Sequence, residues 1–379
     1  SLWRRVNSNF NYNIKNKVSP PHLEGWDKIT QISYDIPVEK SKIAITLMRE
    51  KVGLVYLNLI ESSIATIEKR RPQMSVIIDS WKPSGFIEKD YSFVKAKKID
   101  QGFIKKFDQF LLELKKDLNI PGFAIGIIQD GKNVYKKGFG VTKISNGTKI
   151  DPDTLFMIGS TTKPLTTLLM AKLVTEGKMD WDAKVSTFLK GWSLKDKKFS
   201  KSLSMEHTAC ACTGMPRRDF DIIFESTGIT PEKRLEQMKE MAPTTKPGET
   251  FQYSNSLVAV GGYAAARAYR PDINLQSAYK KAIEDLVFKP LKMQKSLVIN
   301  NVPYMKKSAY PHVLNLSYNS ELLSPKIEES VDSVAPAGAI WSNIDDMIKY
   351  LKYELSEGDL LPGYILKSEL LRRRKRNVN

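Results

Sequence analysis

The chain has 379 residues, 41% of them hydrophobic and 27% charged. That composition is globular and excludes wholesale disorder, and no run approaches the roughly 18 apolar residues a membrane helix needs. The 59 basic against 42 acidic residues leave a net charge of +17. The lysines are scattered through every segment, with only Arg372-Arg373-Arg374-Lys375-Arg376 as a basic cluster. No nucleic-acid partner is therefore expected, while electrostatic attraction to an anionic envelope surface remains open.

The start, Ser1-Leu2-Trp3-Arg4-Arg5, lacks the apolar core of a secretory signal and has no initiator Met, which suggests a processed or clipped chain. Residues 1–96 read as a small β-rich appendage. Its Asn- and Pro-rich opening reaches about Trp26, and the short apolar runs Ile43 to Leu47, Leu54 to Ile60 and Met74 to Asp79 suggest strands. A second domain, 97–379, begins with an amphipathic helix that sets Phe103, Phe107, Phe110, Leu111, Leu114 and Leu118 on one face. Two strand-like runs around Asp130-Gly131 then predict a hairpin. Beyond Gly177 the pattern is mainly helical: Pro231 to Met241, Leu257 to Tyr269, Leu275 to Val287, and Met347 to Leu355 after a cap within Ser342-Asn343-Ile344-Asp345-Asp346.

Between the hairpin and these helices lies Gly159-Ser160-Thr161-Thr162-Lys163-Pro164, followed by Leu165, Leu168, Leu169 and Leu173 at helical spacing. Ser160 therefore sits at or just inside a helix N-terminus, and Lys163, three residues on, shares its face. A serine hydroxyl becomes nucleophilic when a neighbour removes its proton, and a desolvated lysine beside a helix dipole can do so. Spacing alone is weak, since Ser92 to Lys95 and Ser277 to Lys280 repeat it; those copies read as surface features. Only at Ser160 does a buried helix follow.

Such a pair also needs a proton shuttle and a substrate holder. Tyr253-Ser254-Asn255 supplies candidates. A phenol beside a cationic ammonium is a usable base, because the positive charge favours phenolate, and Asn255 offers an amide. Tyr56-Leu57-Asn58 has the same form and reads as a decoy. Cys210 and Cys212, one residue apart, rarely suit a disulfide, and His207 alone cannot complete a zinc site with them. They read as small packing residues, and neither metal nor cofactor is expected.

In order along the chain come the hairpin, Ser160-Thr161-Thr162-Lys163, His207-Thr208 with Gly214-Met215-Pro216, Pro247-Gly248-Glu249-Thr250-Phe251-Gln252-Tyr253-Ser254-Asn255, Pro290-Leu291-Lys292-Met293 and Pro336-Ala337-Gly338. Over roughly residues 100 to 370 this series resembles the serine β-lactamase-related family, which includes class C β-lactamases, D-alanyl-D-alanine carboxypeptidases and carboxylesterases of the same fold. The resemblance implies an α+β, β-lactamase/transpeptidase-like fold: an antiparallel sheet flanked by helices, plus a helical region. It also implies Ser160 as the acylated nucleophile, Lys163 as the group lowering its pKa, Tyr253 as acid/base, and Asn255 as the residue orienting lysine and substrate. The Ser160 backbone N–H would be one oxyanion donor. His207 matches a position without a catalytic duty.

One departure stands out. The family's third motif, Lys-Thr-Gly or His-x-Gly on a strand lining the site, does not occur between Met347 and Asn379. C-terminal strands are therefore expected to be missing, leaving the hairpin with an unpaired edge. The leading expectation is a serine hydrolase acting on an ester or amide: a small-acyl ester, a D-amino-acid peptide or a β-lactam. The alternative is a catalytically silent relative that binds peptidoglycan fragments or a protein partner. A periplasmic or secreted location is what the resemblance implies.

Overall fold

The computed structural model describes residues 2–19, 24–88, 90–225, 228–298, 307–315 and 319–374. It divides into two units, Ser1–Ala96 and Lys97–Asn379.

The first unit is an antiparallel meander of β1 (Ile14–Val18), β2 (Lys28–Tyr34), β3 (Lys42–Lys51) and β4 (Leu54–Ser63), flanked by helices Leu2–Val6 and Ile64–Ser80. β3 and β4 pair from Lys42↔Ser63 to Lys51↔Leu54. Both turn residues between them, Val52 and Gly53, have positive φ, as the tightest hairpin turns require. Successive residues of a strand face opposite ways, so β3 places Ala44 in a cluster with Trp3 and Phe10 and Leu47 in another with Trp26 and Ile29. Met74 to Asp79, expected as a strand, lies instead in the Ile64–Ser80 helix, which starts where Ser63 accepts a bond from the Thr66 N–H. A short apolar run cannot by itself separate strand from buried helix, and here the N-cap decides.

The second unit opens with helix Gln101–Asp117, capped by Asp100, which accepts from the Phe103 N–H at 2.8 Å. It packs Phe107 and Leu111 against Tyr135 and Phe139 of the hairpin β5 (Gly122–Gln129) and β6 (Lys132–Gly140). Phe103 and Phe110, predicted on the same face, stay largely exposed. Helix Ile344–Leu355, capped by Asn343, lays Ile348 on β5 at Gly126. Among the described residues the hairpin forms a two-stranded sheet.

The remaining core is helical. Leu165, Leu168, Leu169 and Leu173 are fully buried in helix Thr162–Thr175, which packs on helix Asn255–Tyr269 and on the turn Ala335–Gly338. That approach is close: a Cβ on Gly262 would come within 2.3 Å of the Pro336 side chain, so any larger residue would push the layers apart. The predicted Pro231 helix ends earlier, at Gln237, before a 3₁₀ turn. The Leu275–Ile283 helix continues as a π-turn to Phe288. A small sheet of β7 (Phe156–Met157), β8 (Leu297–Val298) and β11 (Ile340–Ser342), in the order β7-β11-β8, and a ribbon of β9 (His312–Leu314) with β10 (Ser320–Leu322) complete the unit.

Candidate active site

Ser160 is placed by the small sheet. Met157 on β7 pairs with Trp341 on β11, and the Ile158 N–H donates to the Ile340 carbonyl at 2.9 Å. A single 3₁₀ turn, Gly159–Thr161, then leads into helix Thr162–Thr175. The fully buried Thr162 hydroxyl accepts from the Ile340 N–H at 3.3 Å, fixing the helix start to β11. Ser160 is exposed in this turn, where the Thr161 N–H already donates to the Ile158 carbonyl at 3.1 Å and the Thr162 N–H to the Gly159 carbonyl.

Three predicted residues converge. Lys163 Nζ donates to Ser160 Oγ at 2.9 Å and to the Ala337 carbonyl at 2.8 Å. The Tyr253 hydroxyl lies 2.5 Å from Ser160 Oγ, and Lys163 Nζ is 4.6 Å from the Tyr253 ring centroid. Burial pushes the Lys163 ammonium below the ordinary lysine range. Its bond to Tyr253 and the charge of Asp219 oppose that shift, and Arg217 adds to it.

Tyr253 arrives from 93 residues away on a short ladder. The Gln252 N–H donates to Ala211 O at 2.8 Å, Gly248 N–H to Cys212 O at 2.8 Å, and Thr244 N–H to Gly214 O at 2.9 Å. Gly214 has φ +78°, and a Cβ there would lie 2.2 Å from Thr245 O, so only glycine fits. Here the reading of Cys210 and Cys212 as separate packing residues fails: they form a disulfide with Cα atoms 5.3 Å apart. The reason is local. Ala211 takes a left-handed conformation, φ +54°, which folds the chain back and brings the two thiols together.

Asn255 opens its helix beside the same recess as Ser160, but its side-chain amide donates to Asp219 Oδ1 at 2.9 Å. The described contacts of Lys163 are Ser160, Ala337 and Tyr253. Asp219 and Arg217 escaped the sequence reading. Arg217 Nε pairs with Asp219 Oδ2, and its guanidinium sits 5.1 Å from the Tyr253 ring centroid. Their only sequence signal was a position just after Gly214-Met215-Pro216. His207 forms a capping box with Ser204, whose N–H donates to His207 Nδ1 at 3.1 Å, and burial lowers its pKa.

The decoys separate cleanly. Ser92 and Lys95 lie in exposed irregular chain, Ser277 and Lys280 lie on a helix capped by Asn274, and Tyr56-Leu57-Asn58 runs along β4 in the other unit. Of the basic cluster, Arg372 pairs with Glu206 at 3.1 Å, and Arg373 and Arg374 both pair with Glu354; Lys375 and Arg376 fall outside the described residues. Among the described residues no His/Cys/Asp/Glu group is arranged to hold a metal, and no helix is long and apolar enough to cross a membrane.

The family model described as Beta-lactamase matches residues 107–378. The chain is similar to Unguisins hydrolase ungD' of Aspergillus campestris, 27% identical over 265 residues that cover 66% of this chain and 46% of that protein. To Protein flp of Staphylococcus aureus it is 24% identical over 256 residues, 66% of this chain and 48% of that one. The chain thus spans about half the length of these curated relatives. Among solved structures, the octameric penicillin-binding protein homologue from Pyrococcus abyssi aligns with a TM-score of 0.58 and 25% identity, covering 71% of this chain and 59% of that one.

Proposed function

The chain belongs to the beta-lactamase family, and from that premise we propose that it is a serine hydrolase that cleaves an ester or amide through an acyl-Ser160 intermediate. The observation that carries this reading is the position of Ser160 Oγ, within hydrogen-bond distance of both Lys163 Nζ, at 2.9 Å, and the Tyr253 hydroxyl, at 2.5 Å.

The chemistry follows from those contacts. As Ser160 Oγ attacks the substrate carbonyl, its proton passes to the Tyr253 oxygen, while the phenolic proton passes to Lys163 Nζ, whose burial favours the neutral amine. The carbonyl π-bond opens to an oxyanion, for which the Ser160 backbone N–H at the start of the helix serves as a donor. Collapse expels the leaving group, Tyr253 gives it a proton, and Lys163 returns the phenolic proton to Tyr253. Water then repeats the sequence on the acyl ester, releasing the acid and restoring Ser160. Asn255 holds the substrate at the mouth of the recess. Small-acyl esters, D-amino-acid peptides and β-lactams all present the carbonyl and leaving group that this sequence requires.

The test is covalent labelling. A folded sample incubated with a fluorophosphonate or a fluorescent penicillin should gain the reagent's mass on Ser160, and Ser160→Ala should not. If neither reagent labels Ser160 in a protein with an intact circular dichroism spectrum, the enzyme reading fails, and the alternative of a silent, binding-only relative takes its place.

A further inference from the structure

Beside Ser160 opens a recess of about 240 Å³. Ile222 and Ile223 of helix Asp219–Phe224 form one wall, and Ile327, Val331 and Val334 the facing one. Past Asn255 at its mouth, its carboxylate and its Ser330 hydroxyl are already engaged. Asp219 Oδ1 accepts from Asn255 and Oδ2 from Arg217, while Ser330 Oγ donates to the Ile327 carbonyl at 2.6 Å. A charged group entering past Asn255 would lose its water without gaining a partner of opposite charge, whereas an apolar group loses nothing.

The walls are held apart by one buried cation. The Arg234 guanidinium donates from Nη1 to Asp221 O at 3.1 Å, from Nη2 to Glu225 O at 2.8 Å and from Nε to Ser333 Oγ at 3.2 Å. It thereby ties the helix carrying Ile222 and Ile223 to the segment carrying Val334. The recess is a braced feature of the fold.

Resting on the acyl-Ser160 reading, we propose that this recess binds an apolar group on the acyl side of the scissile bond, a branched aliphatic chain or an aromatic ring. Its side of the bond follows from proton delivery. Tyr253 hands a proton to the leaving atom, so the leaving group lies toward Tyr253 and Arg217, and the recess, which Tyr253 does not line, faces the part that stays on Ser160. Its size follows from volume: a cavity of ~150 Å³ lined by aliphatic residues holds a benzene ring, so this one takes a ring or branched chain with a short linker.

The experiment is a series of p-nitrophenyl esters with one leaving group and four acyl groups: acetyl, isovaleryl, phenylacetyl and the anionic succinyl. Expected is a kcat/KM about 10-fold or more higher for isovaleryl and phenylacetyl than for acetyl, with succinyl below acetyl. Ile223→Asp should collapse the apolar preference, and Ile327→Asp, on the opposite wall, should do the same if the first variant fails to fold. Equal rates across the series, or a preference for succinyl, overturn the proposal even where a fluorophosphonate labels Ser160. Absence of labelling overturns the acyl-Ser160 reading itself, and this inference with it.

Discussion

Asn255 gives its side-chain amide to Asp219 at 2.9 Å, so the polar residue at the head of its helix is held by a carboxylate from a different loop. That carboxylate is in turn clamped by Arg217, which lies over Tyr253. Asp219→Ala should release both Asn255 and Arg217. A hydrogen bond to a charged group contributes on the order of 1.5–3 kcal/mol, so kcat/KM should fall about 10- to 100-fold and the midpoint of thermal unfolding by several degrees. A variant with parental kcat/KM would show that Asn255 holds its place unaided.

Lys163 supplies a pH test. It must be neutral to take the Tyr253 proton, and burial moves its titration below the ordinary 10.5. kcat/KM should therefore rise with pH along a limb centred below that value. Asp219 favours the charged form and Arg217 the neutral one, so Asp219→Asn should move the limb to lower pH and Arg217→Gln to higher pH. Movement of both in one direction would remove Lys163 from the titration. The sign for stability is the reverse of a salt bridge. As pH falls through the unfolded lysine's range, the unfolded chain binds the proton first, and this group's contribution declines until the folded pKa is passed.

Tyr253→Phe removes the oxygen of the proposed proton shuttle and keeps the ring beside Lys163 and Arg217. Turnover should drop on the order of 10²- to 10⁴-fold with unfolding unchanged. Burst kinetics would show which half-reaction suffers, and a variant as fast as the parent would take Tyr253 out of the reaction.

Thr166 sits under the site, fully buried, donating to the Pro336 carbonyl at 2.7 Å and sharing a bond with the Tyr279 hydroxyl at 2.8 Å. Thr166→Val keeps the shape and strands both partners. Urea unfolding should show a loss of about 1–3 kcal/mol. Because Pro336 precedes Ala337, whose carbonyl holds Lys163, kcat should fall as well; unchanged stability would mean that water or a shifted Tyr279 replaces the lost donor.

How far the sequence could be read differs from residue to residue. Ser160 and Lys163 were legible because three-residue spacing on a helix puts side chains on one face wherever the helix lies, and the buried leucines after them marked which of three such pairs heads a core helix. The hairpin was legible through Asp130-Gly131, whose positive φ angles only a few residue types accept. Tyr253 was legible only through motif order, since nothing local to a Tyr-x-Asn separates it from Tyr56-Leu57-Asn58.

Local pattern therefore determined the Ser160–Lys163 pair and the helix that presents it, because each rests on contacts between residues three or four apart. Tertiary structure decided the rest. The bend at Ala211 that joins Cys210 to Cys212, the carboxylate that takes Asn255, and the isoleucine and valine walls braced by Arg234 depend on where distant loops meet. A single chain read in order carries no term for those meetings: their energies come from packing and hydrogen bonds across tens of residues of intervening chain.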